Sequence, residues 1–279
     1  MSATTQAVRV LRHDGSHQAW AQDQVISEHP VAMVFNGVSH AVMMATPSDL
    51  EDFGLGFALS EGIIQHAADC LDIEVQTHRH GIELRMQINA RQQAALQAQR
   101  RNLAGRTGCG LCGIDSLDAL RARHTAPLPR CATPHGPNSR PAHVLPHIVW
   151  TAFSQLDAHQ ALQADTGGCH AAAWASQNGQ LACVREDVGR HNALDKLIGH
   201  LARTGQLSQA GVALVSSRAS YELVSKCARV GIHTLAAISA PTSLAIELAL
   251  ESGVQLYGFC RGQTAVDYTS APQAQPAPL

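Results

Sequence analysis

Residues 211–260 read GVALVSSRASYELVSKCARVGIHTLAAISAPTSLAIELALESGVQLYGFC, and this stretch decides the fold. GVALVS, HTLAAIS and VQLYGFC are short apolar runs of strand length. Residues 220–229 and 242–251, which separate them, carry helical patterns. Strands alternating with helices predict parallel strands joined by right-handed crossovers. In such sheets ligands sit beyond the carboxyl ends of the strands. Ser216, Ser217 and Arg218 lie at one such end, and Ala240, Pro241 and Thr242 at the next.

Moving outward, residues 143–163 read as a helix. CHAAAWAS and QLACVRE, around Asn178-Gly179, read as a hairpin, and 191–203 as another helix. The first half is different in kind. VAMVF and VSHAVMMA flank Asn36-Gly37, the strongest short signal for a hairpin. Ser48 with Glu51 fits a capping box, so a helix is expected from there to about Glu61, ended by Gly62. LDIEVQT and GIELRMQI alternate as a second hairpin, and 90–104 is rich in helix formers. Gly105, Gly108, Gly110 and Gly113 then mark a flexible loop, followed by a short helix over 115–123 and a proline-rich linker. The expected organisation is α/β: a smaller α+β domain over 25–104, a loop and linker over 105–142, and a larger domain over 143–268. Residues 1–24 and 269–279 look polar and patternless and are expected to be mobile.

Composition narrows the function. The chain has 279 residues, 45% hydrophobic, 15% charged, with a formal net charge of −2 and 4% aromatics. That is core enough for one large domain or two modest ones, and it gives neither the basic face nor the stacking platform of a nucleic-acid binder. The N-terminus lacks a signal-peptide core, and no stretch is long and apolar enough for a membrane span. A soluble, cytoplasmic protein is expected, with its eight cysteines reduced.

In that setting the segment RTGCGLCGID (106–115) stands out. Cys109 and Cys112 form a CxxC, which has three common meanings: half of a zinc site, a dithiol redox centre, or a thiol that carries a group such as a persulfide sulfur. All three use the thiolate. Arg106 and nearby backbone N–H groups would help lower the pKa. Zinc needs four ligands, which Cys109, Cys112, Cys131 and His135 could supply. A thioredoxin-like site normally opens a helix, and glycines on both flanks argue against that. A mobile glycine loop suits a thiol that visits a donor and an acceptor. Cys183, Cys227 and Cys260 sit on apolar elements as small hydrophobes. Cys169 reads as a buried strand start, and Cys70 is unassigned.

Two polar clusters lie in the second half. Arg185, Glu186, Asp187, Arg190, His191, Asn192, Asp195 and Lys196 gather where a strand meets a helix. A solvated helix start with weak ion pairs explains them as well as a binding site does. Ser217, Arg218 and Ser220 open a helix after an apolar strand, a natural phosphate site. Two such clusters at neighbouring strand ends suggest one anionic, nucleotide-like ligand.

CGLCG, TGGCHAA, REDVGRHNALDKLIG, SRASYELVSKCARVGI and SAPTSLAIELA, in this order, resemble the formate dehydrogenase accessory sulfurtransferase family (FdhD) from about Val31 to Tyr268. The resemblance implies a sulfur carrier. It would take persulfide sulfur from a cysteine desulfurase and pass it to the molybdenum bis(molybdopterin guanine dinucleotide) cofactor before insertion into apo formate dehydrogenase. Cys109 would carry the persulfide and Cys112 would assist or resolve it. The family's cofactor-binding stretch falls on Phe259, Cys260, Arg261, Gly262, Gln263 and Thr264. The C-terminal domain would have a cytidine-deaminase-like fold. The deaminase signature is missing, since Ala171 and Ala172 follow His170, so no resident metal is expected. Asp195 or Glu222 would meet the guanine edge. Ser217 stands where the family has glycine, and its side chain could crowd a phosphate. A large cofactor at a shared surface would suit a homodimer.

Overall fold

The computed structural model describes residues 3–101 and 143–270. The expected loop, short helix and linker lie outside the described residues. What remains is a mixed α/β arrangement of three sheets. In chain order the elements are β1 (Thr5–Asp14), β2 (His17–Ile26), β3 (His29–Phe35), β4 (Val38–Ala45), α1 (Leu50–Ser60), β5 (Cys70–His78), β6 (Gly81–Ile88) and α2 (Ala90–Arg101). They continue with α3 (Pro146–Leu156), α4 (Ala161–Thr166), β7 (His170–Ser176), β8 (Leu181–Asp187), α5 (Arg190–Arg203), β9 (Gly211–Val215), α6 (Tyr221–Val230), β10 (Thr234–Ala237), α7 (Ser243–Ser252), β11 (Gln255–Arg261) and β12 (Thr264–Asp267).

The larger sheet has the order β12-β11-β10-β9-β7-β8. β9, β10 and β11 are parallel, as their alternation with helices requires. β7 is antiparallel to both β8 and β9, so β8 runs in the same direction as β9. The central strand β9 is buried along its whole length, which is why GVALV is an unbroken apolar run. The smaller sheet, β4-β3-β6-β5, is built from the two expected hairpins. Asn36 and Gly37 take φ of 46° and 80°, the two left-handed positions of a tight hairpin turn.

Four expectations need correction. Residues 1–24 are not patternless: β1 and β2 pair in ten consecutive registers as a separate hairpin. The sequence hides this because apolar residues fall on both faces. The capping box at Ser48 does not form. Asp49 is the N-cap, in a left-handed conformation with no side-chain cap, while the Ser48 hydroxyl accepts from Lys196 at 3.3 Å. The helix expected over 143–163 breaks after Leu156, and Glu186 starts α4 anew by accepting from the Leu162 and Gln163 N–H groups. Finally, the first two residues of the expected tail are held, with the Thr269 and Ser270 amides donating to Asp267, while 271–279 lie outside the described residues.

One apolar cluster runs through both larger sheets, from Val31, Leu84 and Phe53 to Leu197, Leu235 and Leu256. Its centre is the crossing of α1 on α5. A Cβ on Gly56 would lie 1.7 Å from the Asp195 carbonyl oxygen, and one on Gly199 would lie 1.8 Å from that of Asp52. Glycine at both positions lets the two backbones touch.

Candidate functional site

The carboxyl ends of β8, β9, β10 and β11 open on one edge, joined by the start of the reversed strand β7. Strands lie about 4.8 Å apart, so from β8 to β11 this edge spans about 19 Å. At one end, Gly189 is the N-cap of α5, and its N–H donates to Asp187 at 2.9 Å. Arg190 and His191 open the helix there. His170 opens β7 opposite Asp187. Burial, the Arg190 charge and the Lys226 charge hold His191 neutral, with its pKa down at about 4. His170 is lowered by burial and by Arg190. Burial raises the Glu222 carboxyl, but the Ser220 hydroxyl, the backbone N–H at the helix start and the neighbouring His191 and Arg190 outweigh it. Glu222 therefore sits below its usual range, 3.9 Å from His191.

In the middle of the edge, Ser216 ties β9 to β7: its hydroxyl accepts from the Ala171 N–H at 2.8 Å. Ser217 is buried, and its hydroxyl donates to the Arg218 carbonyl at 3.0 Å. That hydroxyl's donor is therefore taken up by the backbone. Arg218 is exposed, and Ser220 is the N-cap of α6.

At the far end, β11 turns into β12. Phe259 holds a left-handed φ of 52°, and the residue is 46% exposed. Its N–H donates to Ser239 at 3.2 Å. Arg261 is exposed, with Nε donating to the Ile238 carbonyl at 3.1 Å. Gly262 makes the turn at φ 57°, Gln263 is exposed, and the Thr264 hydroxyl donates to the Arg261 carbonyl at 2.7 Å. Cys260 points the other way. It is 1% exposed, and burial pushes its thiol up to about 12. Of the expected cofactor stretch, Phe259 and Arg261 are therefore presented and Cys260 is core.

Asn192, Asp195 and Lys196, also expected at the ligand site, are buried and have partners within the protein. Lys196 Nζ lies 2.7 Å from the Asp187 carboxylate, both fully buried, and also donates to the Thr46 and Glu186 carbonyls. Asn192 donates to Met44 and Asp187. Asp195 is held by Lys226 at 2.9 and 3.0 Å and by the Ser60 hydroxyl at 2.6 Å. Burial pushes Asp195 up to about 6, against the pull of Lys226. The Lys226 ammonium is stabilised in turn by Asp195 and Glu61, which outweigh its burial. With two lysine contacts and a hydroxyl on the carboxylate, the geometry is that of an ion pair. Nor are these residues a solvated helix start. They fasten α5 and α6 to β4 and α1. Arg185 extends the set, donating to Asp52 at 2.9 Å. The signal missed in the sequence is the glycine on each helix, Gly56 and Gly199, which announces a close crossing.

Cys109, Cys112, Cys131 and His135 lie outside the described residues. Among the described cysteines, burial raises Cys70 and Cys183 to about 11 and Cys169 to about 12, the last also through Glu186. These thiols are poor nucleophiles at neutral pH. No cluster of three His, Cys, Asp or Glu side chains among the described residues could hold a metal ion, and no described helix is long and apolar enough to cross a membrane.

Comparison with known proteins gives a consistent answer. The model of the FdhD/NarQ family matches residues 26–274. A sulfur carrier protein FdhD of Chromobacterium violaceum is 52% identical over 95% of this chain and 95% of its own length. One of Cupriavidus necator is 49% identical over 91% of this chain and 84% of its own. A crystal structure of a Desulfotalea psychrophila chain described as a formate dehydrogenase accessory protein superposes with a TM-score of 0.69, covering 95% of this chain and 96% of that one. At 23% identity it speaks for the fold alone. On the family match and these identities, the chain belongs to the FdhD/NarQ family.

Proposed function

We propose that this protein is a sulfur carrier for formate dehydrogenase maturation, with Cys109 as the carrying thiol. The acceptor is the molybdenum bis(molybdopterin guanine dinucleotide) cofactor, bound as cargo at the carboxyl edge. The observation that carries this reading is the edge itself: Arg190, Arg218 and Arg261 at the ends of β8, β9 and β11, beside two helix starts. Such groups suit phosphates. An edge about 19 Å long also suits an extended dinucleotide better than a mononucleotide. Phe259, exposed on a strained backbone, offers a face for a base. Glu222 remains to meet the guanine N–H groups, since Asp195 is taken by Lys226. The antiparallel β7 set against parallel β9–β11 is the frame on which we read the deaminase-like C-terminal domain.

The chemistry follows from thiol exchange. A cysteine desulfurase hands a sulfane sulfur to the Cys109 thiolate, giving Cys109–S–SH. Cys112 then attacks the inner sulfur. The S–S bond to the terminal sulfur breaks, that sulfur leaves as hydrosulfide for the metal, and a Cys109–Cys112 disulfide forms. A cellular dithiol reductant restores both thiols. Cys70, Cys169, Cys183 and Cys260 compete poorly, because burial raises their thiols. Apo formate dehydrogenase is the final recipient, and the setting is the cytoplasm, where thiols stay reduced. The zinc alternative rests wholly on Cys109, Cys112, Cys131 and His135.

The test is to incubate the protein with a cysteine desulfurase and cysteine, then map persulfide by mass spectrometry. One added sulfur on the Cys109 peptide, absent in Cys109→Ala, is expected. Normal loading and delivery by Cys109→Ala would overturn the assignment. A tightly held zinc, lost in Cys131→Ser, would favour the metal reading.

A further inference from the structure

The smaller sheet packs one face on α1: a Cβ on Gly54 would meet Met86 at 3.1 Å and Leu84 at 3.5 Å. α1 crosses α5, which lies on the large sheet. The other face of the smaller sheet therefore looks away from the carboxyl edge. Alternation along the strands assigns its side chains. Val31, Met33, Leu84 and Met86 belong to the core. Ala32 and Val34 thus point outward, as do Val42 and Met44, which pair with Ala32 and Pro30. On the same face Glu83 and Arg85 of β6 lie across from Gln76 and Glu74 of β5, and Asp72 stands two places before Glu74.

Two features set this face apart from an ordinary solvated sheet surface. Val42 and Met44 are 55% and 48% exposed on β4, an edge strand with no proline, Lys, Arg, Asp or Glu. Edge strands ordinarily carry such residues as protection against pairing. Beside this apolar strip, the carboxylates of Asp72, Glu74 and Glu83 stand against the one guanidinium of Arg85, a net charge of −2 with His78 neutral. Arg85 is already held by Glu83 at 2.9 Å. Asp72 and Glu74 are in no ion pair among the described residues. A hollow of about 370 Å³ opens here, lined by Val34, Asp72, Glu74, Glu83 and Arg85 among others.

We infer that this face docks the sulfur donor, a cysteine desulfurase, through a patch of lysines or arginines around an apolar anchor. The inference rests on the sulfur-carrier reading, which gives the chain two protein partners. The recipient must meet the cargo at the carboxyl edge. The outer face lies across α1 and α5 from that edge, so a protein bound there leaves the cargo uncovered, which suits the donor. Chain length agrees. β6 leads through α2 to Arg101, and Cys109 follows eight residues later, at most about 28 Å of extended chain. Charge selects the kind of surface, since excess carboxylate steers a cationic partner and speeds its encounter. The hollow accepts a long cationic side chain, its alkyl stem along Val34 and its head against Asp72 and Glu74. Four strands by seven residues make a face of about 19 by 23 Å, so contact buries about 900 Å² over both partners. That is the size of weak, transient contacts, as a donor that leaves after each sulfur requires.

The experiment titrates a purified cysteine desulfurase into the full-length wild type, Asp72→Lys/Glu74→Lys and Val42→Arg, at about 0.05 M and about 0.3 M salt. The wild-type dissociation constant should rise about 10-fold with salt, as screening weakens the charge attraction. The double variant should bind about 10-fold more weakly at low salt and lose most of the salt dependence. Val42→Arg should weaken binding at both salts. Melting temperatures should stay within about 2 °C of wild type, because all three side chains are exposed. Loading of Cys109 from glutathione persulfide, which needs no docked protein, should be unchanged. A wild type that does not bind the desulfurase, or a double variant that binds it as tightly at low salt, would overturn the inference. So would variants that keep the desulfurase and lose apo formate dehydrogenase, which would give the face to the recipient. Desulfurase binding that depends on this face, with Cys109 loaded from neither donor, would sink the sulfur reading and leave the docking face standing.

Discussion

Arg190 and His191 face the carboxyl edge of the large sheet, while Asn192, Asp195 and Lys196, one to six positions on, face inward to β4, α1 and α6. The same stretch of α5 thus serves two regions with opposite physics. At the edge, charges are half-buried or exposed, and the pair formed there among the described residues is loose: His191 and Glu222 are 3.9 Å apart. In the interior, Lys196 and Asp187 are 2.7 Å apart and fully buried. Buried ion pairs are weak evidence of stability in themselves, but losing one partner strands the other. A polar cluster that fastens two sheets and one that lines an open edge can look alike in one dimension. They differ in what the third dimension places against them.

The sharpest way to break this comparison is inside. Lys196→Met leaves the Asp187 carboxylate buried and uncompensated, and should cost about 3–5 kcal/mol. Thermal denaturation should show a fall of roughly 10 °C for a chain of this size. A fall of a degree or two would mean that water reaches the pair. Gly56→Ala drives a methyl into the Asp195 carbonyl, and about 3 kcal/mol is expected from such overpacking. Denaturant melts of Gly56→Ala and Gly199→Ala should be similar, since each glycine faces the other helix's backbone.

Acid acts next, through histidines. His191 is held down at about 4, first by burial and then by Arg190 and Lys226. The unfolded chain protonates near pH 6.5 and so binds more protons than the fold between about 6.5 and 4. Stability therefore drops as pH falls through that window, by roughly 2–3 kcal/mol for this residue. His170 and His233 are also lowered by burial and add in the same direction. The wild-type denaturation midpoint should fall relative to that of His191→Gln as pH drops from about 6.5 to 4, since glutamine takes up no proton. Parallel curves would remove His191 from the account. The smallest effect on stability belongs to the edge: Arg218→Ala touches an exposed side chain and should shift stability by less than about 0.5 kcal/mol.

Much of this frame is legible in the sequence. GVALV, TLAA and QLYGFCR are found as strands because a buried parallel sheet writes itself as apolar runs. Asn36-Gly37 and Asn178-Gly179 mark their hairpins through turn chemistry. What stays hidden is relational. β1 and β2 carry no alternation, and none of their residues is buried. The break after Leu156 depends on Glu186, distant in sequence, capping α4. Asp195 looks like a guanine reader until Ser60 and Lys226, from elements far apart in the chain, close on it. The edge residue Arg218 is found because a helix start after an apolar strand is a local signal, whereas Arg261 enters only through the resemblance. Ser216 is picked out as a strand end, but its tie from β9 to the Ala171 N–H of β7 is hidden because that partner lies across the sheet.

The most direct test of the contrast is calorimetric titration of guanosine diphosphate into the wild type, Arg218→Ala and Arg190→Ala, with melting temperatures measured alongside. A charge-assisted phosphate contact is worth about 1.5–3 kcal/mol. Each variant should therefore bind about 10- to 100-fold more weakly, with the Arg218→Ala melting temperature unchanged. Unaltered affinity in both variants would contradict the account and move the nucleotide away from the carboxyl edge.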